Sequence, residues 1–174
     1  MAEQKTLVVY YSRTGTTRQI AHALANALYA DTEEIVATGN HAGVFGYLRS
    51  VIEARRRTSS AIAAVKKDPS AYDLVIVGTP VWAWSLSSPV RAWLAANKEH
   101  LPAVAFFCTL GGAGGDKAFG QMQEIAGKPP RATLAVNAAD VIADRYAPAL
   151  ASFVTALEPG RRSETTPSKT STAA

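Results

Sequence analysis

The sequence predicts one α/β domain, a doubly wound five-stranded parallel sheet covered on both faces. Two observations carry this. Strand-like and helix-like runs alternate along the chain, five of each; that order calls for parallel strands joined by crossover helices. The inner runs Leu74-Val75-Ile76-Val77 and Val104-Ala105-Phe106-Phe107 are apolar at every position, as strands buried on both faces are.

The elements follow in order. The first strand is Thr6–Tyr11, and the helix Thr16–Tyr29 places Ile20, Ala23, Leu24, Ala27 and Leu28 on one stripe. A second strand is expected at Glu34–Thr38 and a second helix at Val44–Arg57, with Val44, Tyr47, Leu48, Val51 and Ile52 as its apolar face. Residues 58–72 read as a loop with some helical turn. The third strand is Leu74–Gly78. The third helix, Pro89–Lys98, has Ser87 or Ser88 to cap it and proline in its first turn. Ala103–Cys108 and Ala132–Val136 complete the strands, Lys117–Ala126 and Ala143–Leu157 the helices. From Pro159 the chain turns to Gly, Arg, Ser, Thr, Pro and Lys, too little apolar content to fold; a disordered tail is expected after a domain of residues 1–158.

Composition narrows the function classes. No apolar run is long enough to span a bilayer, and Met1–Lys5 lacks a signal-peptide layout. Cys108 is the single cysteine, so no intrachain disulfide forms and a cytoplasmic setting is expected. His22, His41 and His100 are scattered without metal-ligand spacing. Net charge is +4, of which the tail supplies +2 through Arg161, Arg162 and Lys169 against Glu164. The remaining excess forms no basic stripe with interleaved aromatics, which argues against nucleic acid. Arg55-Arg56-Arg57 is the one dense basic run; it reads as a solvated helix end, or as a dock for an anionic partner or a pyridine-nucleotide phosphate.

In a doubly wound sheet, ligands gather beyond the carboxyl ends of the strands. Three segments fall there. Ser12-Arg13-Thr14-Gly15-Thr16-Thr17 links the first strand to a helix N-terminus, where unpaired N–H groups, four hydroxyls and a glycine suit a phosphate. Thr79-Pro80-Val81-Trp82-Ala83-Trp84-Ser85 offers two indoles for stacking, although strand alternation would aim both rings to one side, where one can plug the core. Thr109-Leu110-Gly111-Gly112-Ala113-Gly114-Gly115 lets backbone approach the edge of a planar ligand. Cys108 reads as a small buried core residue, or as a thiol near that ligand.

Through Tyr11–Thr17, Gly78–Trp82 and Thr109–Gly112, residues 6 to about 157 resemble the flavodoxin-like family of FMN proteins, in its short-chain form. The resemblance implies strand order 2-1-3-4-5 and FMN as cofactor. It implies that Ser12, Arg13, Thr14, Gly15, Thr16 and Thr17 bind the phosphate. Thr79, Pro80, Val81, Trp82 and Ala83, with Thr109, Leu110, Gly111, Gly112 and Gly114, would flank the isoalloxazine. Two functions follow: electron transfer to a redox partner protein, or NAD(P)H oxidation coupled to reduction of a quinone-like acceptor. The chain departs from the shuttling members in being basic, in lacking a glycine at Pro80–Trp84 where their Gly peptide flips beside flavin N5, and in lacking a tyrosine in the third loop. A higher-potential flavin with a weak semiquinone and an open outer ring face is the expectation. A second subunit often completes such a face, so a homodimer is also expected. Tyr11, His41 and Arg13 are the side chains that could approach the ring, and no proton donor stands out.

Overall fold

The computed structural model describes residues 4–37, 62 and 66–158. The expected helix Val44–Arg57, His41, the Arg55–Arg57 run and the tail from Pro159 lie outside them. In chain order the elements are β1 (Thr6–Tyr10), α1 (Thr16–Leu28), β2 (Asp31–Glu34), β3 (Leu74–Trp82), β4 (Ser85–Leu86), α2 (Ser88–Asn97), β5 (Ala103–Leu110), α3 (Gly115–Ala126), β6 (Thr133–Asn137), α4 (Ala138–Ile142) and α5 (Ala147–Leu157). Single 3-10 turns precede β3 at Pro69–Ala71 and follow α2 at Lys98–His100.

The sheet runs β2-β1-β3-β5-β6, all parallel, with the two-residue β4 folded back antiparallel on β3. Setting that hairpin strand aside, this is the expected 2-1-3-4-5 order.

Strand alternation divides the core into two layers. Leu7, Val9, Val75, Val77, Val104 and Phe106 face one way, onto Val90, Trp93 and Leu94 of α2 and Ala118 and Met122 of α3. Val8, Tyr10, Leu74, Ile76, Ala105 and Phe107 face the other, onto Ile20, Ala21 and Leu24 of α1 and Phe153 and Leu157 of α5. Burying each large apolar side chain stabilises the fold by roughly 1.5–3 kcal/mol. Packing is closest where the Phe107 ring lies against Gly78: a Cβ there would sit 2.0 Å from Phe107 Cζ.

Several boundaries differ from the sequence reading. β2 is Asp31–Glu34, not Glu34–Thr38. Tyr29 ends α1 in the left-handed region (φ 50°), and the chain enters the edge strand almost at once, pairing Leu7 with Asp31. Ile35 is buried and donates its N–H to the Tyr10 carbonyl at 2.7 Å just past the strand. Ladder pairing with β1 outweighs the β-propensity of Ile35-Val36, which marked the strand too late. The expected helix Ala143–Leu157 begins only at Ala147, as α5, and the short helix α4 before it, Ala138–Ile142, was not expected; Asp144 at φ 55° stands between the two. Pro148, in the first turn of α5, has no N–H to continue an upstream helix. β3 extends four residues past Gly78, so Thr79–Trp82 is strand rather than loop, and the two-residue turn Ala83-Trp84 joins it to β4. β5 likewise takes in Thr109 and Leu110. Among the described residues no helix is long and apolar enough to cross a membrane.

Candidate functional site at the carboxyl rim

The turn after β1 is built around Gly15. It stands at φ 99° immediately before α1, and nothing lies within 4 Å of where its Cβ would be. Ser12 folds its hydroxyl back to accept the N–H groups of Gly15 and Arg18, each at 3.2 Å. It thus serves one of the amides that every helix start leaves without an intrahelical partner. The Thr16 and Thr17 amides belong to the same first turn, where the helix dipole favours negative charge. Thr14 is exposed; Ser12, Arg13, Gly15 and Thr16 are half-buried. Thr17 is buried, and its hydroxyl meets that of Thr109 at 2.7 Å. A hydroxyl at the helix start is therefore tied to the end of β5, 92 residues away.

The segment after Gly78 is anchored just as firmly. Thr79 Oγ1 accepts the Ser87 N–H at 3.0 Å and lies 3.1 Å from Ser87 Oγ. Gln121 Oε1, in the interface between α3 and the hairpin, accepts from Ser85 Oγ at 2.7 Å and from the Leu86 N–H at 3.1 Å. The buried Arg91 of α2 adds its guanidinium to the same oxygen at 3.3 Å. Sequence reading missed this cluster. Its one signal was Gln121, a polar residue beside Ala118 and Met122 on the apolar face of α3.

The hairpin separates the two tryptophans. Trp82 is buried and meets Tyr11 edge to face, with ring centroids 5.7 Å apart. Trp84 is 55% exposed. Alternation aims two residues of a strand to one side only while the strand continues, and here a turn intervenes. Ala83 and Trp84 both take left-handed angles, φ 47° and 59°. This is the geometry of a tight hairpin turn that usually recruits Asn or Gly, and it costs about 1–2 kcal/mol for each residue with a Cβ.

The third loop supplies the space the turn needs. Gly114 sits at φ 101°; a Cβ on it would lie 2.8 Å from Trp84 Cα and 2.9 Å from Trp84 Cδ1. Gly111 and Gly112 have nothing within 4 Å of a Cβ position. Leu110 and Val81 are half-buried on this rim, with Pro80. Cys108 is fully buried below it, and burial, with Asp116 adding, pushes its thiol up to about 12. It stays a neutral core thiol at ordinary pH. Burial also raises the Tyr11 phenol, against the opposing charge of Arg13; Tyr11 packs in the core beneath the rim.

The described residues contain no cluster able to hold a metal ion. A groove of about 420 Å³ touched by Gly15, Arg18, His22 and Tyr146 runs along the flank of α1. Arg18 there is paired with Glu34 at 2.6 Å, and the other two rim segments contribute nothing to it.

A flavodoxin family model matches residues 5–133, and the chain belongs to that family. No curated protein sequence matches it. Among solved structures, a Lactobacillus acidophilus NCFM flavoprotein in complex with FMN is 22% identical, with TM-score 0.67, covering 83% of this chain and 99% of that one. The apo-form of the flavoprotein from that organism gives 24% and 0.60, covering 79% and 93%. A flavodoxin, WrbA-like protein from Agrobacterium tumefaciens gives 18% and 0.52, covering 87% and 96%. At such identities the likeness establishes the flavodoxin-like fold.

Proposed function

We propose that this protein binds FMN at the carboxyl rim and transfers electrons through it to a redox partner. The observation that carries the reading is the union of a phosphate-type helix start with a glycine loop through the buried Thr17–Thr109 hydroxyl pair. The match to the flavodoxin family and the FMN held by the Lactobacillus flavoprotein support it. Bound FMN supplies the redox chemistry, and the protein supplies position and electrostatics. The residues fit the cofactor: the Gly15 turn and the start of α1 would take the phosphate, while the strand ends at Thr79–Trp82 and Thr109–Leu110, with Gly111 to Gly114, would border the ring. Ser12, already bonded to two amides, would orient the turn. The net positive charge of the chain favours an anionic reduced cofactor and a raised potential.

One observation favours a second reading, an FMN-dependent NAD(P)H:quinone oxidoreductase. The Ala83–Trp84 turn is free of glycine and pinned by Gln121 and Gly114, which suits a peptide that keeps one orientation through two-electron chemistry.

Titration of apoprotein with FMN, followed by loss of flavin fluorescence, tests the first claim. The double variant Arg13→Ala/Thr14→Ala should bind at least 10-fold more weakly, since a bond to a charged group contributes about 1.5–3 kcal/mol. Its melting curve should match the wild type. Equal affinity removes the phosphate turn from the site. Anaerobic reductive titration of loaded protein then separates the two readings: stepwise one-electron reduction points to a carrier, a single two-electron step to the reductase.

A further inference from the structure

We propose that β6 is a pairing edge for a second copy of this chain, joined antiparallel about a two-fold axis through Ala135. The inference goes beyond the flavin reading and does not depend on it.

The two edges of the sheet differ. β2, at one end, is Asp31-Thr32-Glu33-Glu34, and its carboxylates are engaged by the same chain. Asp31 accepts the Tyr72 hydroxyl at 2.6 Å and lies 3.5 Å from Lys67 Nζ; Glu33 accepts the Lys66 N–H at 2.9 Å; Glu34 holds Arg18. Charge blunts that edge against further strands. β6, at the other end, is Thr133-Leu134-Ala135-Val136-Asn137, with no charge and no proline. Its register on β5 runs unbroken from Phe106 with Thr133 to Leu110 with Asn137, so no bulge turns it away. Among the described residues no strand covers its outer side.

The ladder decides which backbone groups face outward. The Ala132 carbonyl accepts the Phe106 N–H at 3.1 Å, and in a parallel pair alternate residues turn both backbone groups toward the neighbour. Ala132, Leu134 and Val136 therefore serve β5. Thr133 and Ala135 point N–H and C=O outward, and Asn137 its N–H, its carbonyl being taken by the start of α4. An antiparallel partner must set outward residues against outward residues. A register centred on Ala135 does so: Ala135 exchanges both bonds with its counterpart, and each Asn137 N–H meets the Thr133 carbonyl of the other copy.

A second copy is selected because the strand reads alike in both directions. Thr133 and Asn137 are its polar ends, Leu134 and Val136 are buried, and the exposed Ala135 at the centre brings only a methyl group to the axis. A two-fold interface needs such self-complementarity. In this register the exposed Arg131 stands opposite Ala139 of the other copy, beside its Asp140, of which Arg145 engages Oδ1. The two carboxyl rims then point in opposite directions and both stay open.

The test is sedimentation equilibrium of the full chain over micromolar concentrations, where a short edge pair should hold a dimer. Ala135→Pro removes the N–H at the axis and spares the ladder to β5, since proline is tolerated on an edge. Its dimer should be at least 10-fold weaker, with a melting curve like that of the wild type. Cysteine trapping reads the register, Cys108 being buried. Ala135→Cys should link to its counterpart under diamide, because paired residues stand about 5.5 Å apart, within disulfide reach. Thr133→Cys, roughly 13 Å from its own counterpart, should not. A wild type that stays monomeric overturns the inference. So does a dimer unmoved by Ala135→Pro, or equal cross-linking of both cysteine variants, either of which puts the contact on another surface. Should Ala135→Pro fail to fold, the cysteine variants decide alone, since each alters only an exposed side chain.

Discussion

The turn after β1 and the hairpin after β3 solve the same geometric problem in opposite ways. Both need backbone at positive φ at the carboxyl rim. The first places a glycine there, Gly15 at φ 99°, in open space. The second places Ala83 and Trp84 there, φ 47° and 59°, and makes up the deficit through neighbours: Gln121 receives the Ser85 hydroxyl and Leu86 amide, and Gly114 vacates the volume beside Trp84. The first turn is locally consistent. The second is held by tertiary contacts, as strained backbone at functional sites generally is. A turn that is relaxed alone can be read from its own residues; one held from outside cannot.

Substitutions sharpen that contrast. Gly114→Ala should be the most damaging, because it combines positive φ with a Cβ 2.8 Å from Trp84 Cα. Strain of about 1–2 kcal/mol and overpacking of about 1–3 kcal/mol add to a loss of roughly 3 kcal/mol. Chemical denaturation should register it as a lower midpoint with unchanged slope. Gly15→Ala meets no neighbour, so only the backbone term remains, about 1–2 kcal/mol. If the two variants lose equal stability, the contact between Gly114 and Trp84 is immaterial and the contrast fails. Ala83→Gly should go the other way. Relief of left-handed strain exceeds the added freedom of the unfolded glycine, leaving a gain of up to about 1 kcal/mol, visible as a small rise in melting temperature. A destabilised Ala83→Gly would mean that the hairpin is not strained.

The strands β1, β3 and β5, the helices α1, α2 and α3, and the parallel architecture were legible because their signals are local and periodic: continuous apolar runs for doubly covered strands, a clear stripe on α1, serine and proline at the start of α2. β2 was misplaced because an edge strand rests on pairing, and its Asp-Thr-Glu-Glu residues carry no apolar mark. The late start of α5 was written in Pro148, which suits a first turn, and the five-residue α4 was too short to show an apolar period. At the site, the Ser12–Thr17 turn and the glycines were legible from residue type. The Thr17–Thr109 pair, the Gln121 clamp and the opposite fates of Trp82 and Trp84 were not, since each depends on residues far apart in sequence.

The sequence by itself determined that a phosphate-type turn, an aromatic segment and a glycine segment follow three successive inner strands, because hydrophobic period and turn chemistry are properties of neighbouring residues. The tertiary structure decided that Thr17 answers Thr109, that Trp82 is buried against Tyr11, and that Trp84 is turned outward over Gly114. Those outcomes depend on hydrogen bonds and packing between segments that meet only when the sheet closes, and the contact energy gained there outweighs local backbone preference.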